Sequence, residues 1–141
     1  MLNGRRMLGT WKMLSWTRTV VATGKVDDAM GPDPVGYIAY HPDGRMTAMV
    51  FTRDRIKPAS PAPTAEEKVK LFDSMLAYTG TYTLEADRVI HHVDAAWNPA
   101  WQVDQVRPLT CDGESLVISG APAVDPTTGE EVIYRIEFRK V

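Results

Sequence analysis

Apolar and polar positions alternate along most of this 141-residue chain. The last segment, VIYRIEFRKV, is the clearest case: Val132, Tyr134, Ile136 and Phe138 face one way, and Arg135, Glu137 and Arg139 the other. A period of two is the signature of a strand buried on one side only. Residues 8–21, LGTWKMLSWTRTVV, are rich in β-formers and predict a long first strand. VGYIAYHPDGRMTAMVF reads as a hairpin about Asp43-Gly44. If Gly44 supplies the left-handed residue of a bulged turn, Tyr40 faces Met46 and Ile38 faces Ala48; a two-residue turn shifts that pairing by one.

Two more hairpins follow. In GTYTLEADRVIHHVDAA, a turn at Ala86-Asp87 sets Leu84 opposite Val89, Tyr82 opposite His91 and Gly80 opposite Val93. In VDQVRPLTCDGESLVISG, a turn at Asp112-Gly113 sets Leu109 against Leu116 and Arg107 against Ile118. Between the first and second hairpins the period changes. Thr64 and Glu67 form a capping-box pattern, Val69, Phe72 and Leu76 recur at helical spacing, and Gly80 supplies a stop. This predicts a helix over 65–78 with one apolar face to bury. The segments 22–34 and 122–131 are rich in Gly, Pro and Asp and read as loops, the first long enough to act as a lid. The sum is a single all-β domain over 1–141: eight antiparallel strands in up-and-down order, closed into a β-barrel, with one helix between strands 3 and 4. A barrel of that size is either filled by side chains or holds one small ligand.

Composition narrows the function. The net charge of −2 is spread along the chain, so no nucleic-acid footprint appears. The first twelve residues are charged early without an apolar run, and no stretch is long and apolar enough to span a bilayer, so neither a leader nor a membrane partner is expected. The single cysteine, Cys111, fits a reducing compartment, and a cytoplasmic location is expected. The expected oligomer is a monomer or a homodimer.

Several blocks then look familiar. Gly9-Thr10-Trp11 resembles the Gly-x-Trp element that opens lipocalin barrels. GTWKMLSW, PVGYIAYHPDGRMTAMV, the Glu66-Glu67 helix leading to YTGTY, and VIHHVDAAWNPAW with QVRPL are together similar to a bacterial and fungal family of lipocalin-like domain proteins. The resemblance implies the barrel fold but no particular ligand. It also implies that Trp11 packs at the closed end under a cation from the final strand, with Arg135 and Arg139 as the candidates. The wider lipocalins usually carry leader peptides and disulfides and place their helix after the barrel, so their extracellular transport roles do not carry over.

The candidate chemistry centres on HHVDAAWNPAW, residues 91–101. Adjacent strand residues point to opposite faces, so His91 and His92 cannot share one metal ion, and no metal or other cofactor is expected. His91 facing inward beside Tyr82 is either a satisfied wall residue or, if the protein is an enzyme, an acid–base pair with Tyr82. Arg107 is in phase with Leu109 and points inward unless a register shift at Pro108 turns it out. An inward guanidinium requires an acid, a polar network or a bound anion. Trp97 and Trp101 flank an Asn98-Pro99 turn at the rim, where they either gate a cavity or shield the core. Tyr37, Tyr40, Tyr78, Tyr82 and Tyr134 are candidates for the wall where their hydroxyls find partners. The function these residues suggest is binding of a small apolar or aromatic ligand with an anionic or polar group. The ligand-binding set is Arg107, His91, Tyr82, Tyr40, Trp97, Trp101 and Tyr134. The alternatives are a cofactor-independent isomerase, cyclase or hydratase using the same cavity, and a filled barrel that serves as an interaction module.

Overall fold

The computed structural model describes residues 2–125 and 128–141. Its strands form one antiparallel sheet in the order β2-β1-β3-β4-β5-β6-β7-β8-β10-β9, and β1 (Gly9–Val20) also pairs with β10 (Glu131–Lys140). That second pairing closes the sheet. Trp11 pairs with Ile38 of β3 (Val35–Tyr40) on one side and with Lys140 on the other. Eight strands make the barrel: β1, β3, β4 (Arg45–Phe51), β5 (Met75–Leu84), β6 (Arg88–Ala96), β7 (Asp104–Cys111), β8 (Ser115–Ser119) and β10. Closure removes the exposed edges that an open sheet would leave.

The alternation in the sequence becomes the inside and outside of this cylinder. Met46, Ala48 and Val50 of β4 are buried, whereas Thr47 and Met49 between them are exposed. The first hairpin takes the bulged turn: Gly44 has φ 87°, Tyr40 pairs with Met46 and Ile38 with Ala48. The second has Leu84 opposite Val89, Tyr82 opposite His91 and Gly80 opposite Val93. The third is displaced by two residues, with Leu109 opposite Ile118 and Cys111 opposite Leu116. A shift of two keeps every side chain on its face. It also leaves Arg107 with Val89 of β6 as its cross-strand partner, and β8 pairs with β7 only over Leu109–Cys111.

The helix differs from expectation. It spans Ala65–Asp73 as α2, with the Thr64–Glu67 capping box in place, and then gives way to β5. Leu76 and Tyr78 alternate inward along β5, which pairs with β4 from Met75 to Thr81. A seven-residue ladder on a closed barrel outweighs a helical apolar spacing worth a few tenths of a kcal/mol per residue. Gly80 is therefore no helix stop. It sits at an irregularity in the β5–β6 pairing, where a Cβ would overlap the His92 carbonyl. The helix does not lie between strands 3 and 4; it lies between β4 and β5. The extra strand is β2 (Val26–Asp28), which forms within the expected loop by pairing with Thr17–Thr19. Nor does α2 bury a face: Phe72 is 46% exposed and Val69 more so. A two-residue β9 (Ala123–Val124) likewise forms in the 122–131 segment, whose residues 126–127 lie outside the described residues.

One end of the barrel is shut. A short helix, α1 (Gly4–Met7), lies across it, with the Leu2 amide donating to the Ala86 carbonyl and Met7 fully buried. The Trp11 indole donates to the Met7 carbonyl at 2.8 Å. The cation over its ring is Lys140, 4.6 Å from the ring centroid, and not Arg135 or Arg139. Both arginines alternate outward on β10, whereas Lys140 at the strand end folds back to donate to the Leu8 carbonyl.

Gly80→Ala tests the tight β5–β6 approach. The variant is expected to lose about 3 kcal/mol or more, because the clash is with backbone that cannot swing away. A thermal or urea melt within 1 kcal/mol of the parent would contradict it.

Candidate functional site

His91 and Arg107 both point into the barrel, and they differ in how they are satisfied. His91 is fully buried. Its Nε2 lies 2.8 Å from the Tyr40 hydroxyl and its Nδ1 2.9 Å from the Tyr78 hydroxyl. Burial, then the positive charge of Arg107, holds the imidazole neutral and lowers its pKa to about 3. Tyr40, also fully buried, and Tyr78 are both raised above the usual tyrosine value, burial being the main cause. All three rings are therefore uncharged across the physiological range.

Arg107 is the second group. It is half-buried on β7, in phase with buried Leu109, and lines an interior pocket with Trp16, Tyr78, Trp101, Ile136 and Phe138. Among the described residues no carboxylate lies within ion-pair distance of it, although seven other basic side chains make such pairs. Its guanidinium acts on Tyr78 by charge and by a side-chain hydrogen bond, which partly offsets the effect of burial on that phenol. The pocket is narrow, with a cavity volume of about 30 Å³. That is room for about one water, far below the ~300–1,000 Å³ typical of ligand pockets.

The rim is aromatic. Asn98 caps a 3-10 turn at Pro99–Trp101, its side chain accepting from the Ala100 amide. This sets the Trp97 and Trp101 rings 5.1 Å apart, with Trp101 6.0 Å from Tyr78 and Trp97 6.0 Å from Phe72 of α2. The indole nitrogens of Trp16 and Trp97 are buried without a hydrogen-bond partner. Below the 22–34 segment, Arg18 bridges Asp27 at 2.7 Å and the buried Asp125 at 3.0 Å. Asp27 is thus tied down by the Arg18 guanidinium. The bridge links β2 to Asp125, next to β9.

The candidates therefore divide. Arg107 and Trp101 face the pocket, and Trp97 stacks behind Trp101. His91 and Tyr40 lie in the wall, occupied with each other. Tyr82 pairs with His91 across the strands, yet its hydroxyl donates to the His41 carbonyl at 3.0 Å, so Tyr82 is not the imidazole's partner. The Tyr134 hydroxyl donates to Asp125 at 3.0 Å, and burial and that carboxylate push its pKa up to about 12. On the outer face His92 is held by Thr83 and Asp104, and Asp94 by Arg45. No cluster of three or more His, Cys, Asp or Glu suited to a metal occurs among the described residues. Tyr78 was a wall candidate but not one of the ligand-binding set, and Trp16 was not singled out. The helical reading of 65–78 gave Tyr78 no strand phase, and Trp16 lies beyond a bulge between Met13 and Ser15 that breaks the alternation of β1.

A closed eight-stranded antiparallel sheet, shut at one end and carrying an interior pocket, defines an up-and-down β-barrel domain. The chain belongs to the lipocalin-like domain family, whose model matches residues 8–136. Comparison with curated proteins and with solved structures returned no match. No helix among the described residues is long and apolar enough to cross a membrane.

The buried imidazole predicts acid lability. Unfolding returns His91 from about 3 to its ordinary value of 6.5, so between these pH values the unfolded chain binds the extra proton. Its contribution to stability is complete above pH 6.5 and is lost as pH falls, by on the order of a few kcal/mol over the window. Between pH 6.5 and 5, His91→Gln should show a shallower fall in Tm than the parent; equal slopes would contradict the assignment.

Proposed function

We propose that the barrel binds a small apolar or aromatic molecule carrying an anionic or strongly polar group, with that group held at Arg107. One observation carries the reading: a guanidinium lines a largely apolar pocket with no carboxylate partner among the described residues. A charge so placed is costly unless a counter-charge arrives, and a ligand carboxylate or enolate supplies one through charge-assisted hydrogen bonds. Trp16 and Trp101 would flank the apolar body of the ligand. The ~30 Å³ cavity has to widen on binding. Met13, an unbranched and adaptable side chain, and the two indoles are the groups whose displacement would widen it. The single free thiol, Cys111, supports placing this activity in a reducing compartment such as the cytoplasm.

The cavity volume favours a second reading, a filled barrel whose interior is only a core. The enzyme alternative gains nothing from His91 and Tyr82. An imidazole titrating near 3 with both nitrogens bonded is a poor proton carrier at neutral pH, and the Tyr82 hydroxyl is engaged elsewhere.

Titration with trans-cinnamate, followed by tryptophan fluorescence, separates binding from filling. The parent should bind, and Arg107→Met should weaken binding by about tenfold or more while keeping its Tm within a few degrees. No saturable change at millimolar cinnamate or other aromatic carboxylates, or equal affinity in Arg107→Met, would leave the filled barrel.

A further inference from the structure

The hydrogen-bond directions around His91 decide what the pocket can recognise. A neutral imidazole donates from one nitrogen and accepts at the other. Of the two flanking phenols, Tyr40 is fully buried, and the His91 Nε2 is the hydrogen-bond partner of its hydroxyl. If the imidazole proton sat on Nε2, Tyr40 would accept it and its own hydroxyl proton would be left buried without an acceptor, a costly arrangement. If the proton sits on Nδ1, Tyr40 donates to Nε2, and Nδ1–H donates to the Tyr78 oxygen at 2.9 Å. Within the trio the Tyr40 and His91 donors are then both used, and the donor left over is the hydroxyl proton of Tyr78, which lines the pocket beside Arg107.

We infer that His91 is held with its proton on Nδ1, so that Tyr78 presents its hydroxyl proton to the pocket and, with Arg107, forms a donor pair that selects ligands bearing an acceptor-only oxygen group such as a carboxylate or enolate. The ligand class rests on the binding reading above; the proton placement does not. No side-chain carboxylate or amide lines the pocket, so nothing on its wall competes for those donors as a strong acceptor. The buried indole N–H of Trp16, also on that wall and without a partner, adds to the same polarity. Tyr78 is a specificity residue that touches the ligand. His91 and Tyr40 are positioning residues, set behind it.

Nitrogen NMR of ligand-free protein labelled at histidine tests the placement. The His91 signal is assigned by elimination with His41→Gln and His92→Gln. A protonated Nδ1 with a bare Nε2 is expected; a protonated Nε2 would overturn the inference whether or not any ligand binds. The ligand class is tested with Tyr78→Phe and two probes, trans-cinnamate and β-methylstyrene, in which a methyl replaces the carboxylate. The variant should bind cinnamate about tenfold more weakly and β-methylstyrene within about twofold of the parent. An equal loss for both probes would make Tyr78 a packing residue and overturn its assignment as a donor. Failure of the parent to bind cinnamate would overturn the ligand class and the binding reading together, while the NMR result would still decide the proton placement.

Discussion

Strand β1 makes two pairings at once, with β3 through its first residues and with β10 along nearly its whole length. That double pairing turns a meander into a cylinder. It also converts an alternation of period two into a strict inside and outside, because a strand with neighbours on both sides cannot rotate about its axis. Trp11 stands at the junction, fully buried, held by the Met7 carbonyl and covered by Lys140. Once the sheet is closed, any polar side chain in phase with the core must be satisfied within a small apolar volume.

The barrel meets that requirement in two ways. Around His91 it is met internally: three neutral rings share two hydrogen bonds, with no charge to stabilise. Such a trio specifies the packing of β3, β5 and β6, and its chemistry is spent on itself. At Arg107 the requirement is met only in part, by a phenol. A neutral hydrogen bond is worth about 1 kcal/mol net, whereas desolvating a charge without a counter-ion costs several times more. The difference between the two sites is what separates a structural group from one that calls for a ligand. It also shifts attention from the adjacent histidines, which look more like chemistry, to one arginine and the tyrosine beside it.

Much of this was legible in the sequence. The eight barrel strands, the closure, the register of the second hairpin and the inward phase of His91 and Arg107 follow from period two and from Asp-Gly or Ala-Asp turns, whereas the first hairpin stays open between two registers until Gly44, at φ 87°, selects the bulged one. The third hairpin slipped by two because a longer turn at Asp112–Ser115, stitched by the Asp112 carboxylate to the Glu114 and Ser115 amides, replaces the two-residue one. The end of α2 was misread because Val69, Phe72 and Leu76 satisfy a helical spacing locally, whereas the choice at Met75 is made by β4, more than twenty residues away. The tyrosine assignments failed for a different reason. Cross-strand pairing predicts which Cα atoms face each other, but a phenol hydroxyl lies about 6.5 Å from its Cα and meets partners from other strands. His91 on β6 consequently bonds Tyr40, three strands away on β3, and Tyr78, four residues along β5 from its direct cross-strand neighbour Tyr82, and not Tyr82 itself.

The central claim is that the Arg107 guanidinium faces the barrel interior and receives an anion there. A crystal structure of the protein grown with an aromatic carboxylate tests it most directly. The account predicts carboxylate oxygens within about 3 Å of the guanidinium, with Trp16 and Trp101 displaced around the ring. A guanidinium turned into solvent, or an interior closed to the ligand with the carboxylate bound only at the surface, would contradict it.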